Sequence, residues 1–195
     1  MPVMPLRPPG AAPGGEFGRL CTQCGQCAGA CPFRSIVLDV GVNPLESGMP
    51  RVEPKRIPCW LCMRCGPACP TGALIPVDKR EARMGTAVID RKRCYTYIGS
   101  VLCKTCFEKC PLKARAIELD LGLYPAITKQ CVGCGVCEHV CPAQCIDTFP
   151  AGAELPPVEE QDQASAGSRS GFADRPHRGG VLGLLAKIAA KVSAV

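Results

Sequence analysis

The sequence predicts an α+β fold of short strands and helical turns wrapped around metal-centred cores. Three observations carry this expectation. Sixteen of the 17 cysteines fall into four runs, each closed by Cys-Pro. Every run is followed by a short apolar or β-branched stretch, and extended segments lead into the later runs. Material for an ordinary core is scarce, since 195 residues include one Trp, three Tyr and five Phe against 21 Gly and 20 Pro. Such a composition normally points to disorder. Metal ligation reverses that reading, because ligand binding free energy becomes folding free energy.

The runs are Cys21, Cys24, Cys27 and Cys31; Cys59, Cys62, Cys65 and Cys69; Cys94, Cys103, Cys106 and Cys110; and Cys131, Cys134, Cys137 and Cys141. Three of them read C-x2-C-x2-C-x3-C-P, the thiolate spacing of bacterial [4Fe–4S] cluster proteins. Three closely spaced sulfurs cap three irons of one cube. The fourth, redirected by the following proline, reaches a neighbouring cube. Four such runs predict four [4Fe–4S] clusters held by these sixteen cysteines, in tandem bacterial-type dicluster ferredoxin-like units. Zinc is disfavoured, because its structural sites use two separated C-x2-4-C pairs. Disulfide scaffolds are typically under ~80 residues, and here the cysteine total is odd. The C-x3-C-x2-C spacing of a radical S-adenosylmethionine enzyme does not occur in any run.

The elements follow in order. Residues 1–19 form an N-terminal arm, with Met1 to Gly15 extended over the core and Glu16 to Leu20 a helical turn into the first run. Residues 20–150 form the cluster region. Strands are expected after the runs at Ser35–Val40, Ala73–Val77, Ala116–Leu121 and Cys145–Phe149, and before them at Met49–Pro58, Thr86–Lys92 and Tyr124–Gln130. This is an internal repeat of roughly 35–40 residues. Linker lengths leave sequential and nested pairing of the runs open. The complete strand set around runs two and three favours nesting, which groups Cys31 with Cys131, Cys134 and Cys137, and Cys110 with Cys59, Cys62 and Cys65. Residues 151–180 turn acidic, then small and polar, as in a disordered linker. Residues 181–195 carry Val181, Leu184, Leu185, Ile188 and Val192 at helical spacing. This short amphipathic helix either packs back onto the protein or docks on a partner or membrane surface.

Composition excludes several classes. The formal charge is +6, but each oxidised cluster with its thiolates adds about −2, so four bring the loaded protein to about −2. The basic residues therefore read as counter-charge, not as a nucleic-acid surface. No apolar run reaches the ~18 residues of a membrane span, and Met1 to Gly15 lacks the apolar stretch of a signal peptide. Neither a nucleophile–base pair, a Walker loop nor a dinucleotide fingerprint appears. An electron carrier fits better than an enzyme; an assembly or sensory protein with structural clusters is the alternative. Cys145 is left over and suits buried packing. Trp60 reads as a cover over a cluster, and His139 as a surface side chain.

The arrangement resembles the NapG/MauM ferredoxin-type family. Arg7-Pro8-Pro9-Gly10-Ala11 precedes the first run, which opens Cys21-Thr22-Gln23-Cys24-Gly25-Gln26-Cys27. The second closes Ala68-Cys69-Pro70-Thr71-Gly72-Ala73-Leu74, and the third is stretched, with eight residues between Cys94 and Cys103, before ending Glu108-Lys109-Cys110-Pro111-Leu112. The resemblance implies electron relay between a quinol-oxidising membrane subunit and a soluble redox enzyme or cytochrome. It also implies a place peripheral to the membrane, on the periplasmic side. The missing signal peptide leaves the cytoplasm open. The residues beyond about 150 fall outside the resemblance.

Overall fold

The computed structural model describes residues 5–40 and 47–156. Among these described residues, five short helices, α1 (Glu16–Leu20), α2 (Gln26–Ala30), α3 (Thr105–Lys109), α4 (Lys113–Ala116) and α5 (Val136–Val140), are interspersed with six strands. The strands are β1 (Ile36–Leu38), β2 (Pro50–Val52), β3 (Gly85–Ile89), β4 (Ile117–Asp120), β5 (Tyr124–Ile127) and β6 (Ile146–Pro150). They pair as three separate two-stranded antiparallel sheets, β1–β2, β3–β6 and β4–β5.

The second half has a simple logic. β3 precedes run three and β6 follows run four, and these outer strands pair from Gly85 opposite Pro150 to Ile89 opposite Ile146. Between them, β4 and β5 form a hairpin with Ile117 opposite Ile127. The first half repeats this plan with a weaker outer pair. β1 and β2 make the inner hairpin, Ile36 opposite Val52. The outer pair is the arm against the chain after run two, where Ala11 bridges Leu74. Ala12 N–H donates to Ala73 O at 3.0 Å, and Ile75 N–H to Gly10 O at 2.9 Å.

The expected strand over Ala73–Val77 is therefore reduced to one bridge. Its partner is the arm, where Pro8, Pro9 and Pro13 remove ladder donors and prevent a longer pairing. The arm is nonetheless part of the core: Pro8 and Pro9 are fully buried and Leu6 is buried. Val52 N–H donates to Leu6 O at 2.8 Å, and the Arg7 guanidinium lies 5.0 Å from the Phe17 ring centroid. Apolar side chains form two clusters, one around runs one and two that also takes in Val132, Cys134 and Val136 of run four, and one around the rest of runs three and four. The segment from Val181 to Val195 lies outside the described residues, as does most of the expected linker.

Candidate iron–sulfur sites

The third cysteine of three runs sits on a one-turn helix: Cys27 on α2, Cys106 on α3 and Cys137 on α5, all buried. The fourth cysteine ends each helix. Cys31, Cys110 and Cys141 all have extended backbone, with ψ of 108°, 125° and 113°. A residue before proline is driven out of the helical region, so Pro32, Pro111 and Pro142 stop the helix there. The chain swings outward, carrying the fourth sulfur away from the first three. Run two makes a turn in place of a helix but also ends at Cys69-Pro70.

The swing decides which sulfurs meet. Four hollows are each lined by four cysteines of the runs. Set 1 is Cys21, Cys24 and Cys27 with Cys69. Set 2 is Cys59, Cys62 and Cys65 with Cys31. Set 3 is Cys94, Cys103 and Cys106 with Cys141. Set 4 is Cys131, Cys134 and Cys137 with Cys110. The pairing is thus sequential, run one with two and run three with four. The expectation of nested pairing is wrong: Cys31 meets Cys59, Cys62 and Cys65, and Cys110 meets Cys131, Cys134 and Cys137. Nesting rested on the strand set around runs two and three, and overlooked that the proline-rich arm supplies the missing outer partner of the first half.

The donor chemistry fits a cluster better than an ion. Among the described residues no three His, Cys, Asp or Glu side chains converge on a single metal ion, as tetrahedral zinc would require. The sulfurs instead line four separate hollows. Four thiol donors around each hollow match the four irons of one cube. Burial pushes the thiols of Cys59, Cys106 and Cys134 up to about 12 and that of Cys65 to about 11, opposed by backbone N–H groups and reinforced by neighbouring thiolates. Charge on these sulfurs would need a cation beside it, which the iron of a cluster would supply. Cys69 behaves differently: against the effect of burial, the Leu74 N–H at 3.4 Å and the Thr71 hydroxyl hold it below the ordinary thiol range.

The sets adjoin in a definite order. Cys65 of set 2 feels the charge of Cys27 of set 1. Cys59 of set 2 donates its N–H to Cys134 O of set 4 at 2.9 Å. Cys137 of set 4 feels Cys106 of set 3. The run of neighbours is 1, 2, 4, 3.

Some supporting residues were not apparent from sequence. Thr71 and Thr105 place hydroxyls 3.6 Å and 3.5 Å from Cys69 and Cys103, two residues downstream of each. The shared Cys-x-Thr spacing was the available signal. In the stretched run, buried Thr96 accepts the Cys103 N–H at 2.9 Å and donates to the Cys103 carbonyl at 2.9 Å. It draws the two ends of the eight-residue segment between Cys94 and Cys103 together. Trp60 lines the hollow of set 2 and lies 6.1 Å from Phe33, each ring partly exposed. His139 is outside the hollows, its Nδ1 3.4 Å from Lys55 O at the surface.

Comparison with known proteins agrees with this geometry. Residues 20–73 match the 4Fe-4S dicluster domain, a span covering runs one and two together. The chain is 37% identical over 150 residues to the methylamine utilization ferredoxin-type protein MauM of Paracoccus denitrificans, covering 70% of this chain and 66% of that one. It is 37% identical over 150 residues to MauM of Methylorubrum extorquens, covering 70% and 67%. It is 36% identical over 155 residues to the ferredoxin-type protein NapG of Escherichia coli, covering 70% and 65%. The chain thus spans about two thirds of the length of these relatives.

Proposed function

From a chain that belongs to the family of MauM and NapG, ferredoxin-type 4Fe-4S electron-transfer proteins, we propose a relay of four [4Fe–4S] clusters, one in each cysteine set. The observation that carries this is the three-plus-one grouping repeated at four hollows. The ligands would be Cys21, Cys24, Cys27 and Cys69; Cys59, Cys62, Cys65 and Cys31; Cys94, Cys103, Cys106 and Cys141; and Cys131, Cys134, Cys137 and Cys110. When bound, such clusters supply one-electron exchange with little change of shape.

The protein's part is placement. The order of neighbouring sets makes set 1 and set 3 the ends and sets 2 and 4 the middle. Exposure runs the same way: three of four cysteines are buried in each of sets 2 and 4, two in set 3 and one in set 1. Partners would exchange electrons at the ends. A quinol-linked membrane subunit as donor and a soluble redox enzyme or cytochrome as acceptor fit the family. No helix among the described residues is long and apolar enough to cross a membrane, consistent with contact through a membrane partner. The segment Val181–Val195 is the proposed docking element.

Anaerobic iron and acid-labile sulfide analysis tests this reading. About sixteen of each per chain is expected for four cubes. About eight, or zinc in place of iron, would overturn it. A relay must also accept about four electrons reversibly and pass them rapidly to a partner, which a structural or sensory protein need not do.

A further inference from the structure

We propose that Cys145, which is not one of the sixteen ligands, donates a hydrogen bond to Cys141 and raises the reduction potential of the cluster held by set 3. The inference rests on the four-cluster reading. Cys145 lines the same hollow as Cys94, Cys103, Cys106 and Cys141, so five sulfurs surround one site. Its Sγ lies 3.5 Å from Cys141 Sγ, and its side chain also interacts with Cys94. It is 1% exposed.

The backbone enforces this meeting. Gln144, in the left-handed region at φ 47°, donates its N–H to Cys141 O at 3.1 Å and closes a tight turn. Asp90 N–H donates to Cys145 O at 2.7 Å and anchors the far side on the strand that leads into run three. The two sulfurs are held face to face from both ends.

Packing alone does not explain a sulfur here. The position four residues after the last cysteine is Ser35 in run one and Ala73 in run two. Both are buried, so a small side chain suffices. Ser35 donates its hydroxyl to Pro58 O at 2.6 Å, a carbonyl oxygen in place of a sulfur. Cys145 alone turns its polar atom to a ligand. A ligating thiolate can only accept, and a thiol outside the ligand set carries an S–H donor, so Cys145 supplies the proton. Donation to a ligand sulfur draws electron density from the cluster. The reduced state carries more negative charge and gains more from it, so the potential rises.

Three measurements decide the matter. In a redox titration of the loaded protein followed by electron paramagnetic resonance, Cys145→Ala should move one wave to lower potential. The expected change is about tenfold in that reduction equilibrium, or ~59 mV for one electron. Cys145→Ser keeps a donor and should leave the wave within about threefold of its native position. In the native protein Cys145 would be the one free thiol, so the infrared S–H band reports on it directly and should shift to lower frequency on reduction. Unmoved waves, equal shifts in both variants, or an S–H band that is absent or insensitive to reduction would each overturn the proposal. Loss of about four irons in Cys145→Ala with retention in Cys141→Ala would make Cys145 the ligand instead, and would also overturn it. A native protein without iron would fail the four-cluster reading itself, a distinguishable result.

Discussion

Replacing Gly133 by alanine tests whether close backbone packing holds the set 4 loop. Gly133 lies between Cys131 and Cys134 at φ 70°. A Cβ there would sit 2.5 Å from both the N and the C of Gly85 on β3. Gly85 cannot withdraw: it pairs with Pro150 of β6, and the adjacent Met84 N–H donates to Val132 O at 3.1 Å. Two costs should add. A left-handed non-glycine residue costs about 1–2 kcal/mol, and forcing packed backbone apart costs about 1–3 kcal/mol. Gly122 provides the control, with φ 71° and nothing within 4 Å of its Cβ position. Gly122→Ala bears only the first cost. The difference of about 1–3 kcal/mol corresponds to a five- to hundredfold faster opening, at ~1.4 kcal/mol per tenfold. Release of iron to a ferrous chelator under argon measures it. Gly133→Ala should show a fast phase of about one quarter of the iron, about five- to hundredfold faster than any release seen in Gly122→Ala. Equal rates in the two variants would refute the steric argument.

Sequential pairing predicts non-additive losses: Cys31→Ala and Cys59→Ala should each remove about four irons, and the double variant no more, whereas Cys31→Ala with Cys131→Ala should remove about eight. Nesting reverses the two doubles. Thr96→Val leaves the Cys103 N–H without its acceptor, a cost of about 1–3 kcal/mol; iron release should quicken at set 3 alone, and a uniform change over all sets would count against this role. Reduction adds negative charge, which the more buried middle sets disfavour, so a potentiometric titration of Cys59→Ala should lack one of the two lowest waves, and loss of a high wave would contradict that. Removal of everything after Pro157 should leave iron content intact and weaken membrane or partner binding. The cut belongs there because Ala151 N–H still donates to Met84 O at 2.9 Å, and loss of iron would place the removed segment in the core.

The three-plus-one division of each cysteine run was legible because cysteine spacing is itself a geometric statement. Three sulfurs three residues apart lie around one short turn, and Cys-Pro directs the fourth elsewhere. The α+β pattern of short strands was legible for the same local reason. β1, β2, β3, β4, β5 and β6 all fall within or against the apolar stretches that flank the runs. Partner choice was not legible, because it depends on contacts distant in sequence. Ala11 finds Leu74 across 63 residues through a single bridge, and a segment rich in proline does not announce itself as a strand. The stretched third run was visible, but not the side chain that closes it. Thr96 gains its meaning only once its hydroxyl meets Cys103. Cys145 read as packing because the sequence shows its small size and not the direction of its sulfur.

The same folding rule that sorts the cysteines would also set the order of the proposed electron path. Each half needs an outer strand pair and an inner hairpin to carry two runs, so each half encloses two sets. Joining the halves then requires one backbone contact between sets of different halves. That contact is the Cys59 N–H on Cys134 O, which brings sets 2 and 4 together. Around it the chain packs closely, with Gly135 directly against Pro54 and Val132 and Val136 buried in the core of the first half. Close packing at the junction buries the middle sets and leaves set 1, with exposed Cys24 and half-buried Cys21 and Cys69, facing solvent. A thiol donor at Cys145 raising set 3 would complete the profile. Both ends would then be easier to reduce than the middle, so electrons rest where partners can reach them and cross the buried junction only in transit.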